Sequence, residues 1–101
     1  MSSYTEEDLD AIFAKGIPQP GNDPNVWRKD RGGAWICRSK YGDTTPCGYG
    51  WEVDHIQPAS KDGQDAYYNY QPLQWENNRN KSDNVGFKKV TSSGTKNIYC
   101  D

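Results

Sequence analysis

The sequence has few of the features that mark membrane, secreted or zinc-stabilised proteins. Only 33% of its 101 residues are hydrophobic, and no apolar run approaches the ~18 residues that a membrane span requires. There is no hydrophobic N-terminal segment of the signal-peptide type, so we expect a cytoplasmic protein. The three cysteines, Cys37, Cys47 and Cys100, form no C-x-x-C pair, which predicts reduced thiols and no structural zinc.

Clustered positive charge is also scarce. The formal net charge is −2, which argues against a strongly basic nucleic-acid-binding protein, because phosphate contacts need grouped Lys and Arg. Acidic residues are, however, concentrated in the first ten positions, whereas residues 79–96 contain Asp83 as their only acid among several cations. We therefore expect a modest basic surface in the last third of the chain.

The length predicts one small domain over residues 1–101, and the many Gly and Pro residues predict that it is rich in loops. Thr5 is a candidate N-cap, and Leu9, Ile12 and Phe13 follow at helical spacing. This pattern predicts an amphipathic helix over 5–15. The helix could dock on its own domain or bind a partner.

Residues 27–41 mix aromatic and basic side chains. Trp35 and Ile36 favour a buried strand over 34–38, although aromatic residues among cations are also typical of nucleic-acid-binding surfaces. Four cations of this stretch could either contact phosphates or be ordinary solvated charges. They are Arg28, Arg31, Arg38 and Lys40.

The densest pattern of chemically useful residues lies in 51–83. A strand is predicted over Trp51–Ile56, and it carries Asp54 and His55, the only histidine of the chain. A long polar loop over 57–72 follows, in which Asn69 is the candidate internal clamp. An asparagine-rich helix is predicted over 73–83.

In order and spacing these residues resemble the signature of HNH nucleases, in which Asp-His-Ile-x-Pro precedes a mid-loop Asn and a helical Asn-Arg-x-Lys-Ser. The matching positions are Asp54-His55-Ile56, Pro58, Ser60, Asn69, Leu73, Asn78-Arg79 and Lys81-Ser82-Asp83. The spacing is also similar to that of the HNH domain of RNA-guided CRISPR effector nucleases, with Asn in place of the final His. This H-N-N variant implies an α+β fold with a ββα-metal core (HNH, or His-Me finger), to which the N-terminal helix is added.

The resemblance also implies roles for individual residues, and the chemistry of the side chains agrees. His55 suits a general base, and Asp54 with Asn78 suits an oxygen-liganded divalent metal ion, Mg²⁺ or Mn²⁺. Asn77 competes with Asn78 as the second metal ligand. Asn69 would bond backbone across the loop and hold the His55 ring. The candidate nucleic-acid contacts are Arg79, Lys81, Lys88, Lys89 and Arg38.

The expected function is a metal-dependent DNA endonuclease that nicks DNA or has weak sequence specificity. It would leave 5′-phosphate and 3′-hydroxyl ends, act as a monomer and have no membrane partner. Two alternatives are a DNA-binding or partner-binding module that has lost turnover, and a toxin-like nuclease domain with an immunity protein as partner.

Overall fold

The structure is a computed structural model that describes residues 3–58, 61–82 and 86–100. Over these residues it is a mixed α+β arrangement of two α-helices and several small antiparallel sheets. In chain order the elements are α1 (Glu6–Phe13), β1 (Ile17–Pro18), β2 (Trp27–Lys29), β3 (Trp35–Cys37), β4 (Trp51–His55), β5 (Tyr70–Gln74), α2 (Trp75–Lys81), β6 (Val90–Ser93) and β7 (Lys96–Tyr99). Within these described ranges no helix has the length and apolar character needed to cross a membrane.

The predicted N-terminal helix is confirmed as α1. The Thr5 hydroxyl accepts a hydrogen bond from the Asp8 amide, and the Asp8 carboxylate accepts one from the Thr5 amide, which forms a capping box. The three apolar residues of the helix, Leu9, Ile12 and Phe13, are buried together with Ile36 and Trp51 in the main apolar cluster. The helix therefore docks on its own domain.

The first sheet has the order β1-β2-β3, and all its pairs are antiparallel. The strand predicted over 34–38 is present as β3, whose three residues are buried. The turn between β2 and β3 contains Asp30, a carboxylate that is 1% exposed. Asp30 accepts hydrogen bonds from the amides of Gly32 and Ala34 and from the Gln74 amide of β5, so it joins the first sheet to the second.

The second sheet pairs β4 with β5, from Trp51 opposite Gln74 to His55 opposite Tyr70. The helix predicted over 73–83 is therefore wrong at its start, because residues 73 and 74 belong to the strand and α2 begins at Trp75. The Gln74 side chain caps α2 by accepting from the amides of Glu76 and Asn77, at 2.8 and 3.1 Å. Ser60 and Asp83 of the sequence motif lie outside the described residues.

The third sheet is the hairpin of β6 and β7, of which the sequence predicted only a strand at 96–100. Asn97 attaches this hairpin to the first sheet. Its side-chain oxygen accepts from the Trp35 amide at 2.7 Å, and its nitrogen donates to the Trp35 carbonyl at 2.9 Å. Tyr99 attaches it to α2 by donating to the Glu76 carboxylate at 2.7 Å. The hairpin thus braces the strand–strand–helix unit of β4, β5 and α2.

Candidate active site

Strand β4 and helix α2 face each other through charged and amide side chains. Glu52 and Asp54 lie on one face of β4, as the alternation along the strand predicted. Asn78 of α2 donates to Glu52 Oε1 at 2.8 Å, and Lys81 of α2 donates to Asp54 Oδ2 at 2.7 Å. The helix and the strand therefore bring Asp54 and Asn78, predicted as metal ligands, into one polar cluster.

Asp54 is the most buried charge of this cluster, with 6% of its surface exposed. Its Oδ2 atom accepts from Lys81 and also from the Gln71 amide nitrogen, at 2.7 Å each. A buried carboxylate needs such partners because its desolvation is costly. Lys81 also donates to the carbonyls of His55 and Ile56, at 2.6 and 3.3 Å, so its ammonium group lies where β4 ends.

Glu52 determines which way the Asn78 amide faces. Its Oε1 accepts from the nitrogen of Asn78 and from Arg79 Nε, and its Oε2 accepts from Arg79 Nη2 at 2.8 Å. These bonds to Glu52 raise the pKa of Arg79. Because the Asn78 nitrogen is committed to Glu52, the Asn78 oxygen is the atom that remains for a metal ion.

The Asn77 side chain is used for hydrogen bonds within the fold. Its nitrogen donates to Asp30 and to the Val90 carbonyl, at 2.9 Å each, and its oxygen accepts from the Val90 amide at 2.6 Å. All three bonds tie α2 to the β2–β3 turn and to β6. The structure therefore favours Asn78 over Asn77 as the candidate metal ligand.

His55 is held by two residues of the loop and of β5. Its ring packs edge-on against Tyr70, and its Nε2 lies 3.1 Å from Asp65 Oδ1. The same oxygen accepts from the Tyr70 hydroxyl at 2.5 Å. Hydrogen bonds from Tyr70 and from His55 lower the pKa of Asp65, which is therefore an ionised acceptor at neutral pH. The nitrogen facing it must carry the proton, which leaves the lone pair on Nδ1.

Asn69 is buried and bonds the loop backbone on both sides. Its oxygen accepts from the Gln57 amide at 2.8 Å, and its nitrogen donates to the carbonyls of Gln57 and Gln64, at 3.0 and 2.8 Å. It thus spans the loop as the resemblance implied. The groups in contact with the His55 ring are instead Tyr70 and Asp65. Sequence reasoning missed Asp65 because nothing distinguishes it from the other polar residues of the loop.

The five predicted nucleic-acid contacts fall into two groups. Arg38 pairs with Asp10 and Glu6 of α1, at 2.8 and 3.1 Å, while Arg79 and Lys81 pair with the carboxylates of β4. Lys88 and Lys89 are exposed. The first group therefore neutralises acids of the chain itself, and the second is open to an external anion.

The side chains of Asp54 and Asn78 are of the chemical types that bind a hard divalent cation. A carboxylate and an amide oxygen are ligands that Mg²⁺ and Mn²⁺ accept, and the Lys81 ammonium already places one positive charge against Asp54. Across residues 3–58, 61–82 and 86–100, no group of three or more His, Cys, Asp or Glu could hold a metal ion. The candidate pair at Asp54 is of another kind, one carboxylate and one amide.

Comparisons of the chain with protein-family models, with curated proteins and with solved structures found no match.

Proposed function

We propose that this protein is a cytoplasmic metal-dependent DNA endonuclease built on a ββα-metal core. The observation that carries the proposal is the contact between β4 and α2, where Asp54 and Asn78 share one polar cluster and His55 ends the same strand. The order and spacing of these residues, which resemble the HNH signature, support the same conclusion. The cut would leave 5′-phosphate and 3′-hydroxyl ends, with nicking or weakly sequence-specific cleavage.

The side chains divide the work of phosphodiester hydrolysis among them. A bound Mg²⁺ or Mn²⁺ supplies charge neutralisation at the phosphoryl oxygens and stabilises the leaving 3′ oxygen. Asp54 and the Asn78 oxygen would hold that ion. His55 Nδ1 takes a proton from the attacking water, and Asp65 keeps the ring oriented and stabilises the imidazolium that forms. Asn69 fixes the backbone at Gln57, two residues beyond the base.

The test is cleavage of supercoiled plasmid by the wild type, His55→Ala and Asn78→Ala, each with Mg²⁺, Mn²⁺ or EDTA. We expect nicked or linear DNA with either metal, no product with EDTA, and loss of cleavage in both variants. Nicked product should be resealed by DNA ligase, which requires a 5′-phosphate beside a 3′-hydroxyl. Cleavage that survives His55→Ala would exclude His55 as the base.

The second candidate is a DNA-binding or partner-binding module without turnover. The ion pair of Lys81 with Asp54 favours the absence of turnover, because the ammonium group occupies the carboxylate that would otherwise bind a metal ion. DNA binding without cleavage under every metal would support this function over the first.

A further inference from the structure

A cavity of about 380 Å³ lies beside α2, on the side that faces the β2–β3 turn and the β6–β7 hairpin. Its volume is within the ~300–1,000 Å³ typical of ligand sites. Three cations line it, Arg31, Lys81 and Lys89, and the described lining includes no carboxylate. A cleft lined by charge of one sign concentrates the field on a counter-ion, so the cavity is suited to an anion.

The charged groups that remain for a ligand are two of the three cations, because the Lys81 ammonium is bonded to Asp54 and to backbone carbonyls. Asn80, which also lines the cavity, donates its amide to the Phe87 carbonyl at 2.7 Å, and the Asn77 amide is fully used within the fold. Arg31 and Lys89 are exposed, and neither side chain makes a hydrogen bond or ion pair with another residue that the structure describes. Both are therefore open to an external partner.

The buried side chains of the lining are apolar, and Gly32 and Cys100 complete the described lining. Leu73 of β5 and Val90 of β6 are buried, at 4% and 1% exposure, and both face the cavity. A small inorganic anion would make no apolar contact with Leu73 and Val90. A phosphate with an attached sugar matches both parts of the cavity.

Lys81 connects the cavity with the candidate active site. Its side chain lines the cavity, while its ammonium nitrogen lies 2.7 Å from Asp54 Oδ2. A phosphate in the cavity would therefore be a near neighbour of a phosphate at Asp54.

We propose that this cavity is a phosphate-binding subsite for the nucleic-acid backbone, occupied by a phosphate that flanks the one to be cut. Arg31 offers a planar pair of donors to the phosphate oxygens, and Lys89 offers a point charge. The choice of a nucleic acid as the source of the phosphate rests on the proposed function. Arg31 was one of several cations with two interpretations in the sequence, and the cavity distinguishes it from Arg38.

The first experiment measures binding of a fluorescently labelled DNA duplex by anisotropy in EDTA, over a series of salt concentrations. We expect Lys89→Ala and Arg31→Ala each to weaken binding several-fold and to lower the slope of log K against log salt by about 0.9. Lys96→Ala is the matched control, since Lys96 is also an exposed lysine of the last third of the chain but does not line the cavity. Equal effects of Lys96→Ala and Lys89→Ala would overturn the proposal.

The second experiment titrates inorganic phosphate while recording backbone amide NMR shifts. We expect shifts at Gly32 and Val90, which line the cavity, and their loss in Lys89→Ala. Absence of these shifts in the wild type would overturn the anion site. Phosphate could instead shift these amides while the two lysine variants bind DNA equally well. That combination would show a site for free phosphate and overturn the nucleic-acid assignment.

The two proposals fail separately. The binding assay contains EDTA, so the difference between Lys96→Ala and Lys89→Ala can be measured whether or not the protein cleaves DNA. If the wild type cleaves plasmid with none of the metals, the proposed nuclease function is overturned. If the two lysine variants bind DNA with equal affinity, only the phosphate subsite is overturned.

Discussion

At the scale of single residues, Glu52 and Asp65 each set the state of a neighbour that would do chemistry. Glu52 accepts a hydrogen bond from the side-chain nitrogen of Asn78, which leaves the Asn78 side-chain oxygen available to a ligand. Asp65 accepts a hydrogen bond from the protonated Nε2 of His55 and so leaves Nδ1 as the basic atom. Outer residues of this kind commonly affect metal affinity or activity by about 10–100-fold.

Glu52→Gln should weaken binding of Mn²⁺ by about 10-fold or more. The glutamine keeps the size of the side chain but no longer offers two carboxylate oxygens to Asn78 and Arg79, so the Asn78 amide loses its fixed orientation. Isothermal titration calorimetry with Mn²⁺ alone measures this effect without any cleavage. Glu7→Gln, the same change of charge at an exposed position of α1, is the control and should leave the affinity unchanged. Equal affinities of wild type and Glu52→Gln would exclude this role.

Asp65→Asn should change the tautomer of His55. In the wild type, ¹⁵N shifts of the imidazole should show the proton on Nε2, because an ionised carboxylate faces that nitrogen. The amide of asparagine can donate as well as accept, so the variant should show a mixture of tautomers and a cleavage rate about 10-fold lower or more. Asp62→Asn in the same loop is the control. A wild-type histidine protonated on Nδ1 would contradict the assignment.

At the scale of elements, buried polar side chains join the three sheets. Asp30 links the β2–β3 turn to the start of α2, Asn97 links β7 to β3, and Glu76 links α2 to β7. Among the described residues, every buried side-chain nitrogen or oxygen has a hydrogen-bond partner. Loss of one partner should therefore destabilise the fold, because the other is left unsatisfied.

Tyr99→Phe should lower the free energy of unfolding by about 1 kcal/mol at neutral pH, since Glu76 loses one donor at a partly exposed position. The hydrogen bond to Glu76 raises the pKa of Tyr99 from 10.0 to about 12. The stabilisation is complete below pH 10, where the hydroxyl is protonated in both states, and is lost as the pH rises towards 12. Urea unfolding of wild type and variant should therefore converge over that range.

Tyr68→Phe is the control for this comparison, because Tyr68 is 69% exposed. It should match the wild type at neutral pH. A difference between wild type and Tyr99→Phe that persists unchanged to pH 12 would contradict the assigned role of the hydroxyl.

The elements also show what the sequence could predict. Helix α1, β3, β4 and β7 follow from local spacing, because each has its own apolar pattern or cap. The boundary between β5 and α2 does not, since it depends on pairing with β4 and on an amide side chain, Gln74, as the cap. The roles of Asp30 and Asp65 could not be predicted from local spacing either. Asp30 bonds residues that are distant in sequence, and Asp65 lies among similar polar residues of a loop.

At the scale of the whole molecule, the charges are divided between internal pairs and an open surface. Glu6 and Asp10 of α1 pair with Arg38, and the acids of β4 pair with Arg79 and Lys81. These pairs engage three cations and four of the fourteen acids of the chain, whereas Arg31 and Lys89 remain at the cavity. A small net charge is therefore compatible with a local site for phosphate.

The Asn97 side chain has a further consequence for the first sheet. It occupies both the amide and the carbonyl of Trp35 on β3, the strand that ends the order β1-β2-β3. Exposed strand edges are templates on which other chains can add a strand and aggregate. A strand from another molecule finds both hydrogen-bonding groups of Trp35 already taken by this side chain, and the amide of Cys37 taken by the Tyr49 carbonyl, so this edge is protected against intermolecular pairing.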